Sequence, residues 1–102
     1  MYVLFWTPDE KVLGKLTLEC TSIELFLGGS QVLKQRLDVH SVFEGGWGKI
    51  TIHNERTDPR SAIITIEPML GTLKLGTIRV YPWKHALIVE EHRHLGLFAT
   101  AY

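Results

Sequence analysis

From Lys11 to Glu67 the chain alternates apolar and polar residues with period two. The clearest stretch is Lys15-Leu16-Thr17-Leu18-Glu19-Cys20, followed after Thr21-Ser22 by Ile23-Glu24-Leu25-Phe26-Leu27 and then Gly28-Gly29. Successive side chains of a strand point to opposite faces, so this pattern predicts sheet with one dry and one wet face. Tyr2 to Trp6 is a first strand that is apolar on both faces, and is therefore expected to be buried or to lie at an intersubunit surface. Pro8-Asp9-Glu10 is a turn. A second strand covers about Val12 to Cys20 and a third Ile23 to Leu27, joined as a tight hairpin across Thr21-Ser22.

Gly28-Gly29-Ser30 makes the next turn, and a fourth strand follows with Leu33, Leu37, Val39 and Phe43 on one face. After Gly45-Gly46-Trp47-Gly48, Ile50 and Ile52 alternate with Lys49, Thr51 and His53. The polar stretch from Asn54 to Arg60 is expected to be an exposed hairpin loop. Ala62, Ile64 and Ile66 form the inward face of the next strand, which Pro68 is expected to end. Beyond Gly71 the phase changes. Leu73 and Leu75 share one parity and Ile78 and Val80 the other, so one extra residue near Gly76-Thr77 is required to realign them, the mark of a β-bulge.

The last twenty residues admit two readings. As strands, Ala86 to Glu90 and Leu95 to Tyr102 extend the sheet. As a helix, Pro82 sits in the first turn, Arg93 and His94 in the last, and Gly96 just past the end. The β-branched pair in Leu87-Ile88-Val89 and the interruption by Glu90 and Glu91 favour strand. The fold class expected is all-β, a small barrel or sandwich of about seven to nine antiparallel strands with room for one short C-terminal helix.

With 102 residues the chain makes a single domain spanning 1–102. Its 45% hydrophobic content suits a packed core rather than disorder. Eleven basic and eleven acidic residues cancel, and the balance holds in both halves, so nucleic acid is not an expected partner. A lone cysteine, Cys20, rules out an intramolecular disulfide and fits a reducing compartment; it continues the apolar face of Leu16 and Leu18, as an inert buried thiol would. The run Tyr2–Trp6 lacks the flanks of a signal peptide and no run approaches the ~20 apolar residues of a spanning helix, so a cytoplasmic location without a membrane span is expected.

The segments Gly14-Lys15-Leu16-Thr17-Leu18, Ile23-Glu24-Leu25-Phe26 and Arg36-Leu37-Asp38-Val39 leading to Val42 resemble the first strands of a pleckstrin-homology-like (GRAM-type) barrel, over about residues 14–43. The resemblance implies two nearly orthogonal sheets, a C-terminal helix and, in many members, binding of lipid headgroups or peptides. The chain departs from that pattern at two places. Only residues 82–95 are offered as the plugging helix, and the Thr21-Ser22 hairpin has no lysine or arginine beside its tip.

Few residues carry chemistry. His92 and His94 have metal-ligand spacing, because residues two apart on a strand share a face; they define a candidate site for zinc or another transition metal, with His85, His53, His40 or Glu90 as a third ligand. On a helix the two would point apart. No phosphate-cradling loop, G-x-S-x-G or H-E-x-x-H is present. Trp47 between glycines, and Trp83 followed by Lys84 and His85, make a candidate ligand-binding set, against the alternative that both rings cap the core. These features lead to one expectation and two alternatives. The first is a non-catalytic binding or assembly module, engaging a protein partner or a second copy through the apolar surplus of Tyr2–Trp6 and Ala86–Val89, with no cofactor. The alternatives are a small cupin-like metal-dependent enzyme using His92 and His94, and a pleckstrin-like domain that binds lipid headgroups.

Overall fold

A computed structural model describes the chain except residues 7–10, 20, 59–60, 82–85 and 92–97; at Leu70 and residues 86–91 it describes the backbone only. Among the described residues eleven strands run in chain order: β1 Tyr2–Trp6, β2 Val12–Leu18, β3 Ser22–Leu27, β4 Ser30–Arg36, β5 Ser41–Gly45, β6 Gly48–His53, β7 Ile63–Leu70, β8 Leu73–Lys74, β9 Gly76–Tyr81, β10 Ala86–Glu91 and β11 Phe98–Ala101. All pairings are antiparallel and no α-helix occurs among the described residues. One sheet has the order β11-β1-β2-β3-β4 and the other β10-β9-β7-β6-β5, with β8 added beside the end of β7. Paired strands are thus consecutive in sequence, except where β9 passes the short β8 to pair with β7 and where β11 returns to pair with β1. The expected all-β barrel or sandwich is present, and within it the segment open to two readings, Ala86–Glu91, is strand.

The alternation read along the sequence becomes the core. Val3, Phe5, Leu16, Leu18, Ile23, Leu25 and Leu33 project from the first sheet, and Ile50, Ile52, Ile64, Ile66, Ile78 and Val80 from the second, into one buried cluster. The register stacks these side chains in rows: Ile52 lies opposite Ile64, which lies opposite Val80, and Ile50 opposite Ile66, which lies opposite Ile78. Cross-strand β-branched rows of this kind fill the pleated surface well. The phase slip near Gly76 is also present. Met69 pairs with Lys74 and Leu70 with Leu73, but Ile66 pairs with Ile78, which leaves one extra residue on the returning strand. Gly76 absorbs it with φ +155°, and Leu75 and Ile78 both reach the core.

Four local expectations are corrected. The strand read from Leu33 to Phe43 divides into β4 and β5, which belong to different sheets, and Val39 is exposed. The corner is pinned where Leu37 N–H donates to Thr21 O at 2.9 Å and Asn54 Nδ2 donates to Leu37 O at 2.6 Å. Asn54, expected in an exposed loop, is therefore buried, while Glu55, Arg56, Thr57 and Asp58 after it are exposed. Pro68 does not end its strand: β7 continues to Leu70, because Pro68 sits in the gap between the β9 and β8 pairings, where no ladder N–H is required. Finally, the β2–β3 turn is one residue earlier than read, since Glu19 N–H donates to Ser22 O at 2.9 Å. Cys20 lies outside the described residues.

Candidate functional site

The first strand has apolar side chains on both faces, and the structure separates them. Val3 and Phe5 enter the core; Tyr2, Leu4 and Trp6 stand half-buried on the outer face of the first sheet. The neighbouring strands extend that outer face in register. Phe98 lies opposite Trp6, which lies opposite Val12; Thr100 lies opposite Leu4, which lies opposite Lys15, which lies opposite Phe26. Tyr102 and Tyr2 exchange backbone hydrogen bonds of 3.1 and 2.8 Å and stack their rings. The outcome is an aromatic surface of Tyr2, Trp6, Phe26, Phe98 and Tyr102, with Leu4 and Val12 between them. Val12, Phe98 and Tyr102 are 55%, 53% and 57% exposed. A bulge sets part of this geometry: the β1–β2 register shifts between Phe5 and Trp6, so Leu13 packs on the core while Val12 joins Trp6 outside.

The charge on this face is already engaged. Lys15 Nζ sits 4.4 Å from the centroid of the Tyr2 ring, and Lys34 Nζ is 3.4 Å from Glu24 Oε1. The outer face of the second sheet is different in kind. Glu44, Lys49 and Glu67 form one row, and Val42, Thr51, Thr65 and Arg79 the next. An open depression of about 240 Å³ is lined by Glu44, Gly45, Gly48, Lys49, Glu67, Met69 and Lys74. Its two carboxylates and two lysines balance, and Lys49 Nζ lies 3.7 Å from Glu44 Oε1, so the groups neutralise one another instead of converging on a ligand.

Of the residues singled out from sequence, the structure describes His40 and His53, two candidates for a third metal ligand, and Trp47. It occupies the two-residue loop between β5 and β6, half-buried and packed against the core, with its carbonyl accepting Met69 N–H at 2.9 Å. Its ring lies over Gly45, where a Cβ would come within 2.5 Å of Trp47 Nε1. Trp83, Lys84 and His85, and the metal pair His92 and His94, lie outside the described residues. Two other histidines do meet: His40 and His53 contact edge to face with centroids 5.0 Å apart, and His53 Nε2 is 3.3 Å from Glu55 Oε1. Among the described residues no group of three histidine, cysteine or carboxylate side chains is placed to hold a metal ion. Nor is any helix there long and apolar enough to cross a membrane.

The sequence reading named Tyr2–Trp6 as apolar surplus but did not assemble the surface. Phe26 reads as an ordinary strand residue, and Phe98 and Tyr102 lie far along the chain; only the β11–β1 pairing brings them beside Trp6 and Tyr2. No family model, curated protein or solved structure matches this chain.

Proposed function

We propose that this domain is a non-catalytic protein-binding module that docks a partner protein on the aromatic outer face of its first sheet. The observation that carries this is the set of Tyr2, Trp6, Phe26, Phe98 and Tyr102 on the outer side of the first sheet, none of them part of the buried core cluster. Contiguous exposed apolar surface rimmed by polar groups marks interaction sites, and tyrosine, tryptophan and phenylalanine are enriched at interface centres. The partner surface is apolar and close to neutral. Among the described residues Lys15 is held by the Tyr2 ring, Lys34 by Glu24 and Arg36 by Asp38, so these cations already have partners and offer little to an acidic or phosphorylated ligand. The same neutrality disfavours a lipid headgroup or a nucleic-acid backbone on this face.

The test is site-specific photocross-linking in the native host, with a photoreactive phenylalanine analogue at Trp6 or Phe98 and, as control, at Thr65 on the other sheet. The expected result is one protein adduct from Trp6 and Phe98, absent from Thr65, and abolished by Leu4→Lys. Truncation of an aromatic anchor at a protein interface typically costs about 2 kcal/mol, so Trp6→Ala is expected to weaken binding of the identified partner roughly 30-fold. Equal adducts from both sheets, or none from the aromatic face, would overturn the proposal.

A further inference from the structure

The second sheet ends on β5, and among the described residues no strand pairs with the side of β5 turned away from β6. The amides on that side follow from the register. Gly45 and Gly48 flank a two-residue loop and pair directly, so they exchange both backbone hydrogen bonds. Bonded and non-bonded pairs alternate from there, which makes Phe43–Ile50 and Ser41–Ile52 bonded pairs. The N–H and C=O groups of Val42 and Glu44 therefore point to the open edge.

Open edges template pairing with another chain, and natural sheets blunt them with lysine, proline or bulges. The corresponding edge of the first sheet, β4, has such devices: Lys34, Arg36 and a register break that leaves Val32 unpaired with β3. The β5 segment, Ser41–Gly45, has no lysine, no proline and an unbroken register with β6. It also presents Val42, 48% exposed, next to exposed Val39.

We propose that β5 pairs antiparallel with the same strand of a second copy, with Val42 opposite the partner's Val42. This register is self-complementary. It places Glu44 opposite the partner's His40 and His40 opposite the partner's Glu44, so that the outward-pointing amide of Val42 meets its equivalent and that of Glu44 meets the backbone of the partner's His40. Residues 40, 42 and 44 share the outer face. His40 immediately precedes β5, and its ring meets that of His53 edge to face, which sets it on the side of the sheet that His53 shares with Thr51 and Lys49. The Glu44 side chain is 69% exposed, and in this pairing its carboxylate is shared between Lys49, 3.7 Å from Oε1, and the partner's His40. Sliding the strands by two residues sets Glu44 against the partner's Val42 in one direction, or against the partner's Asp38 in the other. The first slide leaves both carboxylates facing apolar side chains and the second sets like charges directly opposite, so side-chain pairing favours the register with Val42 on the two-fold axis. The contact joins two copies of the second sheet into one continuous sheet. It lies on the sheet that does not carry the aromatic face and stands independently of the function proposed for that face.

A five-residue edge gives a small interface, so association is to be followed by sedimentation velocity from about 5 to 500 μM chain, where contacts of this class are populated. The wild-type mass is expected to rise from 11.6 kDa towards twice that value. Val42→Lys, which sets two ammonium groups at the axis, is expected to remain a monomer. Glu44→Lys is expected to weaken association at least tenfold, and the double variant His40→Glu, Glu44→Lys to restore it, because opposite charges then face each other. All three positions lie on the surface, so far-UV circular dichroism and the unfolding midpoint should match the wild type; the charge-swap pair carries the test if Val42→Lys alone does not fold. A wild-type mass that stays at one chain throughout overturns the proposal. So does an association indifferent to Val42→Lys and to the charge swap, which would place self-contact on another surface such as the aromatic face.

Discussion

Tyr102 stacks on Tyr2 with ring centroids 5.1 Å apart and planes inclined by 21°, while the two residues exchange backbone hydrogen bonds. Lys15 Nζ covers the Tyr2 ring at 4.4 Å. This pair extends the β11–β1 ladder by one residue and fixes a corner of the aromatic face. Cross-strand aromatic pairs contribute about 0.5–1 kcal/mol beyond the area they cover. Tyr102→Ser is therefore expected to lower unfolding stability by about 1 kcal/mol, and Tyr102→Phe to leave it nearly unchanged. Urea unfolding decides this; an unchanged midpoint for the serine variant would mean that the stack contributes nothing in solution.

Asn54 is the buried side chain that holds the corner between the two sheets. Its Nδ2 donates to Leu37 O at 2.6 Å and to Asp58 O at 2.8 Å, and its Oδ1 accepts Arg56 N–H at 3.1 Å. Leaving such groups unsatisfied costs about 1–3 kcal/mol. Asn54→Ala should lose about that much, and Asn54→Asp at least as much, since a carboxylate oxygen would then face two carbonyls. A loss below about 0.5 kcal/mol in either variant, the range of ordinary surface changes, would show that the corner is held by other contacts.

Gly48 is required where β6 begins. Its φ is +128°, and a Cβ there would collide with Glu67 O and come within 2.9 Å of Pro68 Cα, both backbone atoms of β7. Gly46, two residues before, has nothing within 4 Å of its Cβ position. Gly46→Ala should be within about 0.5 kcal/mol of wild type, whereas Gly48→Ala should cost about 2 kcal/mol or more. Equal midpoints for the two variants in thermal unfolding would contradict this reading.

Arg36 and Asp38 face each other at the end of β4. Arg36 Nε donates to Asp38 Oδ1 at 3.0 Å, and Nη2 pairs with Oδ2. The hydrogen bonds from Arg36, then its charge, hold the Asp38 carboxyl below the usual carboxylate value. A lowered folded-state value means that this contact contributes fully above the ordinary carboxylate range and is lost as the pH falls through the folded value. NMR titration of the Asp38 side-chain carbon should show protonation later in an acid titration than for a free aspartate, and Arg36→Ala should return it to the ordinary range. An unshifted wild-type curve would rule the pairing out in solution.

Most of the inward pattern was legible because strand periodicity is local. Leu16 and Leu18, Ile23 and Leu25, Ile50 and Ile52, and Ile64 and Ile66 alternate with polar neighbours in the sequence, and all are buried. The slip near Gly76 was legible for the same reason, since an extra residue changes the parity of everything after it. The division of Leu33–Phe43 was not. Leu37 keeps the parity of a strand residue while Thr21 and Asn54, distant in sequence, bend the chain at its carbonyl and amide. The burial of Asn54 has the same origin, because an asparagine beside charged residues reads as loop until a carbonyl from another strand reaches it.

Sequence alone therefore determined that this protein is a sheet structure, most of the side chains that form its core and where one strand slips. Each of those depends on residues two apart and on the hydrophobic effect. Tertiary structure decided which strands share a sheet, that Tyr2, Trp6, Phe26, Phe98 and Tyr102 gather on one outer face, and that β5 is left as an edge. The physical reason is that alternation specifies which side of a strand faces inward but not which strand lies next to it. A strand apolar on both sides, such as Tyr2–Trp6, acquires its meaning only from what the fold places over it and beside it.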